Sequence, residues 1–475
     1  MSELVYTPPG VYVDENAQPV PNIASVVALP PSRVAIVGPS IGYQTYTESV
    51  QLTGVTAVTL TQRGINSATV TVTGLDGTLH GSGSDYAVAQ TGTPAEEAVT
   101  TVTRDAGGVI TDGAVVYVTY QYTNSSFYEP YLSTDWDEIQ SRYGTAVTSA
   151  GVIGSPLSLA AKIVMEAGAR EIILVPTKGS TPTSVTSAQI ETAYGTIEGR
   201  DDIGVVVPLP IGITGTDVSP GDSADIGLDL KAHVEEATAN GNYRVGVFGF
   251  DTVATRSHDS VASATASKRV MLAYPNVMEW YNGFTNSVME LGGCYLAASY
   301  AGMMASRSAQ IPLTRKLVRS FSAIPSRVRS TMTSAFKNTL ADAGVAICEQ
   351  QSDGRLVVRH GVSTDPTNVL TREVSITRAK DTKIRLINQA IERSGIIGSA
   401  MDAESPVRLR SIVEGALSQA VQSSIIVGFS NLSVRVAVGD QTALEVKYAY
   451  QPAYPLNKVM VSFAINTVTG NIQEI

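Results

Sequence analysis

The chain has 475 residues, with 33 basic and 43 acidic side chains and a formal net charge of -10. At roughly 150 residues per domain this length predicts about three domains, each large enough to bury a core. An acidic chain lacks the excess cations that phosphate backbones demand, and Cys294 and Cys348 form neither a disulfide framework nor a CxxC pair.

The opening MSELVYTPPGVYV has no basic segment followed by an apolar run, which predicts no signal peptide and synthesis inside the cell. Residues 1–30 read as an extended arm. Pro8, Pro9, Pro19, Pro21 and Pro30 each remove a backbone donor and oppose helix in the preceding residue. The β-prone Val11-Tyr12-Val13 between them is too short to stand alone, so its backbone should pair with a sheet edge.

Residues 51–125 are Thr-, Val- and Gly-rich, with alternation in 68–73 and 114–120 separated by turn signals at 75–77 and 105–108. They predict a small all-β domain, a sandwich, inserted into a larger fold and facing outward. Charge is skewed as well: residues 1–130 hold 3 basic and 11 acidic groups, whereas 355–410 hold 10 basic against 6 acidic. Such asymmetry suits head-to-tail assembly.

From residue 130 the pattern turns α/β. Thr134 with Asp137 reads as a capped helix start, and Ser155-Pro156 as N-cap then first turn. Leu159, Ile163 and Ala167 share a helix face, and Gly168 should end that helix. The apolar runs 171–176, 203–208 and 245–250 alternate with helical stretches, which predicts a mainly parallel sheet covered on both faces. The apolar stretch 293–305 is shorter than the roughly 20 residues of a membrane helix.

The last hundred residues predict a helix-plus-sheet domain. Ile384, Ile387 and Ile391 share one helix face, and Leu409, Ile412, Val413, Ala416, Leu417 and Ala420 recur at helical spacing. Three strands follow in hairpin order. Their aligned residues are Val434, Val436 and Val438, then Leu444, Val446, Tyr448 and Tyr450, then Val459, Val461, Phe463 and Ile465.

Chemical motifs are sparse. Neither GxxxxGK[ST], GxGxxG nor GxSxG occurs, and His80, His233, His258 and His360 lack ligand spacing, so no metal or cofactor is expected. The carboxylates Asp201-Asp202 are adjacent and read as a turn. Ser299, in the small-residue stretch 297–305, reads as beginning a helix and is the one nucleophile candidate, but no general base accompanies it. The basic stretch 315–329 is the one polyanion candidate, and interface helix positions explain it equally well.

Tyr6-Thr7-Pro8-Pro9-Gly10-Val11-Tyr12-Val13-Asp14-Glu15 resembles the PGVYVEE opening of contractile-tail sheath proteins of bacteriophages. Residues 32–40 are similar to that family's first core strand and glycine turn, and 132–138 with Arg142-Tyr143-Gly144 to its capped helix. The stretch 298–302 resembles its alanine-glycine helix, and 374–380 with the final strands its carboxy-terminal domain. Two departures stand out: Val357-Val358-Arg359-His360-Gly361-Val362-Ser363 replaces the common Trp-Gly-Ala-Arg-Thr, and Glu166-Ala167-Gly168-Ala169-Arg170 the common Asn-Gly-Gly turn.

The resemblance implies a multidomain α/β fold: a non-catalytic subtilisin-like α/β core (31–50 and 126–360), the inserted β-sandwich (51–125), a C-terminal α+β domain (361–475) and extended terminal arms. It implies a structural subunit that stacks as hexameric rings around a tail tube and contracts to drive the tube through the host envelope for genome delivery. No nucleotide would be consumed, because the energy would be stored at assembly. Pro9, Gly10, Val11, Tyr12 and Val13, with Val459, Val461, Phe463 and Ile465, would be donated as strands to neighbouring subunits. The implied partners are other sheath subunits, the tube protein, and baseplate and terminator proteins, with no direct nucleic-acid contact and no membrane insertion. The implied location is the virion, after synthesis in the host bacterial cytoplasm. Alternatives are the sheath of a tailocin or secretion-type system, a subtilisin-like hydrolase using Ser299, and an adhesin using 51–125.

Overall fold

A computed structural model describes residues 33–474 except 41–42, 93–97, 124–126, 179–184, 214–224, 254–256, 284, 458, 461–462 and 466–471. Its centre is an eight-stranded sheet in the spatial order Leu356–Val358, Val345–Gln350, Val270–Tyr274, Val245–Phe248, Ile203–Pro208, Arg33–Pro39, Ile172–Thr177, Tyr131–Ser133. All inner pairings are parallel, and both outermost strands are antiparallel.

Alternation decides where each side chain goes. Val34 and Ile36 join one core, packed with the helices Pro156–Glu166 and Gly293–Ala305. Ala35 and Val37 join the other, under Ser187–Ile197, Ile226–Ala239 and His258–Thr265. A strand buried on both faces must be apolar at every position, which is why these strands read as unbroken hydrophobic runs. Ser155 caps its helix by accepting the Ser158 N–H, with Pro156 in the first turn, as expected. One cap differs from expectation: Asp135, not Thr134, accepts from the helix amides, through the Asp137 N–H.

Helix Gly293–Ala305 is buried along its whole length. Its small residues let it lie directly on Pro156–Glu166. A Cβ at Gly302 would stand 2.4 Å from the Val164 carbonyl oxygen and 2.8 Å from the Ala167 Cβ. Ser299 sits in the middle of this helix rather than at its start, and its Oγ meets the Ser320 Oγ at 3.2 Å.

Two antiparallel sheets, one of four strands and one of three, enclose a separate core that includes Leu52, Val72, Val102, Val118 and Tyr120. The first strand of this unit is Tyr43–Leu52, paired along its length with Ala114–Thr123. It therefore starts before residue 51.

At the other end, helices Val374–Arg393 and Ser405–Gln422 pack beneath a two-stranded hairpin, Ile426–Ala437 with Asp440–Pro452, around a fourth core. Val362 and Val374 belong instead to the core of the central sheet, so this unit's own packing begins after residue 374 rather than at 361.

Candidate assembly surfaces

The hairpin Ile426–Pro452 differs from every strand of the central sheet. Phe429, Leu432, Val434, Leu444, Val446, Tyr448 and Tyr450 lie against the helices and are only half-buried. Its tip overhangs them: Val436 is exposed and Val438 is 92 % exposed. Among the described residues neither outer edge carries a further strand. Two strands alone are marginally stable, and open edges leave rows of backbone donors and acceptors for another strand to use.

Its base is braced rigidly. The buried Lys383 ammonium lies 3.3 Å from the ring centre of Tyr450 and 5.0 Å from that of Tyr448. On the outer side Glu445 accepts from Arg435 and Lys447, both at 2.7 Å.

Helix Val374–Arg393 is in turn fastened to the sheet domain. Asp381 receives two bonds from Arg269, at 2.6 and 2.9 Å, with both side chains buried. Arg378 donates to the Met304 carbonyl at 2.7 Å, at the end of the fully buried helix. Buried Glu373 accepts from His360 and, at 2.8 Å, from Asn457 Nδ2. That last bond pins the chain leaving the hairpin against the core.

Of the residues expected to be donated, Pro9, Gly10, Val11, Tyr12, Val13 and Val461 lie outside the described residues. Val459 is 74 % exposed and lies outside any strand. Phe463 and Ile465 belong to a three-residue strand paired antiparallel with Ile472–Glu474. Of the single strand 459–465 expected from alternation, the described residues place 463–465 in a strand folded back on Ile472–Glu474 and Val459 outside it.

The other candidates resolve into structural roles. His233 stacks on Tyr194 at 4.5 Å, and burial pushes its pKa down to about 3. Burial likewise pushes His258 down to about 4. Among the described residues no group of three His, Cys, Asp or Glu side chains could hold a metal ion, and no helix is long and apolar enough to cross a membrane. The basic stretch is broken up by pairing, Arg315 with Glu349 at 2.9 Å and Arg327 with Glu290. Asp202 is held down to about 2, chiefly by its bond from Arg200 and also by one from Arg33, a bridge that local spacing did not reveal.

No protein-family model matches the chain. A curated relative, the tail sheath protein of Mycobacterium phage Bxz1, is 32 % identical over 438 residues, covering 88 % of this chain and 72 % of that one. The chain belongs to the tail sheath protein family. As a sheath protein it is structural, not enzymatic, which removes the hydrolase alternative and agrees with the enclosure of Ser299 in a packed helix. Its mixed α/β fold also matches solved sheaths. The anti-feeding prophage helical sheath in its contracted state aligns at TM-score 0.54 and 12 % identity, over 97 % of this chain and 100 % of that one. The contracted PVC sheath of an extracellular contractile injection system aligns at TM-score 0.52 and 12 % identity, over 98 % and 99 %.

Proposed function

We propose that this sheath protein is the subunit of a contractile phage tail, stacking as hexameric rings around the tail tube and contracting to drive the tube through the host envelope. The observation that carries this reading is the rigidly braced hairpin Ile426–Pro452 with both edges open among the described residues. Pro9, Gly10, Val11, Tyr12 and Val13 of one copy, and Val459, Val461, Phe463 and Ile465 of another, add as strands to those edges. Main-chain bonds supply affinity and alternate side chains supply register. A mesh tied in this way stays connected while rigid cores rotate, and contraction is the fall from a metastable extended assembly to a compact one.

In this reading residues 1–30 are the arm, and 31–42 with 126–373 form a non-catalytic core of subtilisin-like topology. Residues 43–125 form an outward β-sandwich, and 374–475 form the linking domain. The tube, baseplate and terminator proteins are its partners, with no nucleic-acid contact, membrane insertion or cofactor. It is made in the host cytoplasm and resides in the virion.

Deleting residues 1–20 tests strand donation. The truncated protein should remain folded and soluble yet form no hollow striated tubes in negative-stain electron microscopy, whereas normal tubes would sink the idea. A second reading, the sheath of a related injection system, is favoured by the likeness to the anti-feeding prophage and PVC assemblies. Capsid genes beside the coding gene would decide for the phage.

A further inference from the structure

Between helix Val374–Arg393 and one end of the central sheet lies a cavity of about 250 Å³. Four guanidinium groups line it, Arg244, Arg307, Arg378 and Arg385, along with two carboxylates, Asp202 and Asp381. Both carboxylates are already engaged elsewhere. Asp381 is bonded twice by Arg269, and Asp202 is bonded by Arg33 and Arg200. Among the described residues no ion pair within 4 Å joins any of the four cavity arginines to a carboxylate; Asp381 acts on Arg378 and Arg385, and Asp202 on Arg244, only at longer range.

Neutral carbonyls hold them instead. Arg244 donates to the carbonyls of Ile197, Glu198, Arg200 and Asn242 and faces His233 Nε2 at 3.2 Å, which uses up its fork. Arg307 Nη1 donates to Met303 at 2.7 Å, Arg378 Nη2 to Met304 at 2.7 Å, and Arg385 Nη2 to Tyr243. Carbonyls orient a guanidinium without neutralising it. Burial pushes Arg244 and Arg378 down to about 10 and lowers Arg307 and Arg385, and the carboxylates near Arg244, Arg378 and Arg385 offset it only in part. Each of the last three keeps further N–H groups with no protein acceptor among the described residues. A water occupies roughly 30 Å³ of liquid, so the space admits a phosphate-sized oxyanion with waters to spare. Guanidinium forks match such oxyanions in pairs of parallel bonds.

We infer that this cavity binds a dissolved polyvalent oxyanion of the phosphate class, held by Arg307, Arg378 and Arg385, which fastens the C-terminal unit to the sheet domain. Arg244 adds field without a bond. The three ligating arginines come from two separate segments, so the anion adds a cross-link beside the Arg269–Asp381 and Arg378–Met304 bonds already there.

The test uses the full chain, with inorganic phosphate or pyrophosphate as probe and chloride at matched ionic strength as control. Phosphate should raise the melting temperature and chloride should not. The double variant Arg307→Gln/Arg385→Gln changes two half-buried side chains. It should bind phosphate at least about tenfold more weakly in calorimetry, while melting no lower than the parent in phosphate-free buffer. If the double variant does not fold, Arg385→Lys keeps the charge and removes the fork, and it too should lose affinity. An equal response to chloride, or variants that bind as the parent does, would overturn the assignment. A subunit indifferent to phosphate whose double variant no longer forms tubes would give the cavity to a neighbouring copy's carboxylate, and would also overturn it.

Discussion

The central sheet and the C-terminal hairpin obey the same hydrogen-bonding rules with opposite results. In the sheet, strands such as Ile172–Thr177 are paired on both sides and buried on both faces, and even the outermost strands pair along their inner edges. In the hairpin, one face is half-covered, the tip is bare, and the edges are free of further strands among the described residues. In the proposed reading, the difference separates stability from assembly. The closed region carries folding energy, and the open region offers unspent backbone groups on a rigid mount.

Substitutions should therefore lower stability in the first region and disturb association in the second. The largest loss is expected at the joint between them. Asp381→Ala leaves Arg269 buried without its partner and should cost about 3–5 kcal/mol in denaturant unfolding. Gly302→Ala drives a Cβ into the Val164 carbonyl oxygen and should cost about 1–3 kcal/mol by the same measurement.

Acid should act on the sheet domain through its buried histidines. Folded His233 and His258 titrate near 3 and 4, against 6.5 for an ordinary histidine. Their contribution is thus complete above about pH 6.5 and is lost as pH falls, because the unfolded chain takes up protons that the folded chain refuses. Between pH 6.5 and 5 each should remove about 1.6 kcal/mol. His258→Phe should flatten that slope in pH-dependent melts, and an unchanged slope would show that His258 is not the group responsible. The smallest stability effect belongs to the open region. Val436→Lys/Val438→Lys, at the exposed tip, should shift unfolding by no more than about 0.5 kcal/mol. The same pair should impair tube formation seen by electron microscopy, and normal tubes would remove the tip from the assembly surface.

Legibility followed the same divide. The inner strands could be read because burial on both faces forces an unbroken apolar run, and the Pro156–Glu166 helix because Ser155-Pro156 is a local start signal. Strand Tyr43–Leu52 escaped. Its Gln44-Thr45-Tyr46-Thr47-Glu48-Ser49 run has no apolar alternation and is strand only because Ala114–Thr123 pairs with it. Ser299 was legible as inert for want of a base, but its burial was not: Gly302 lets helix Gly293–Ala305 lie directly on Pro156–Glu166, a packing that spacing does not show.

By itself the sequence determined the local elements, the two-faced sheet, the helix-plus-hairpin end and the sheath resemblance, because periodicity, capping and turn chemistry act over a few residues. Only the tertiary structure decided which edges stay open, that Arg269 meets Asp381 across 112 residues, and that four arginines converge on one cavity. Charge and hydrogen-bond pairing depend on distance in space, and no spacing along the chain encodes that distance.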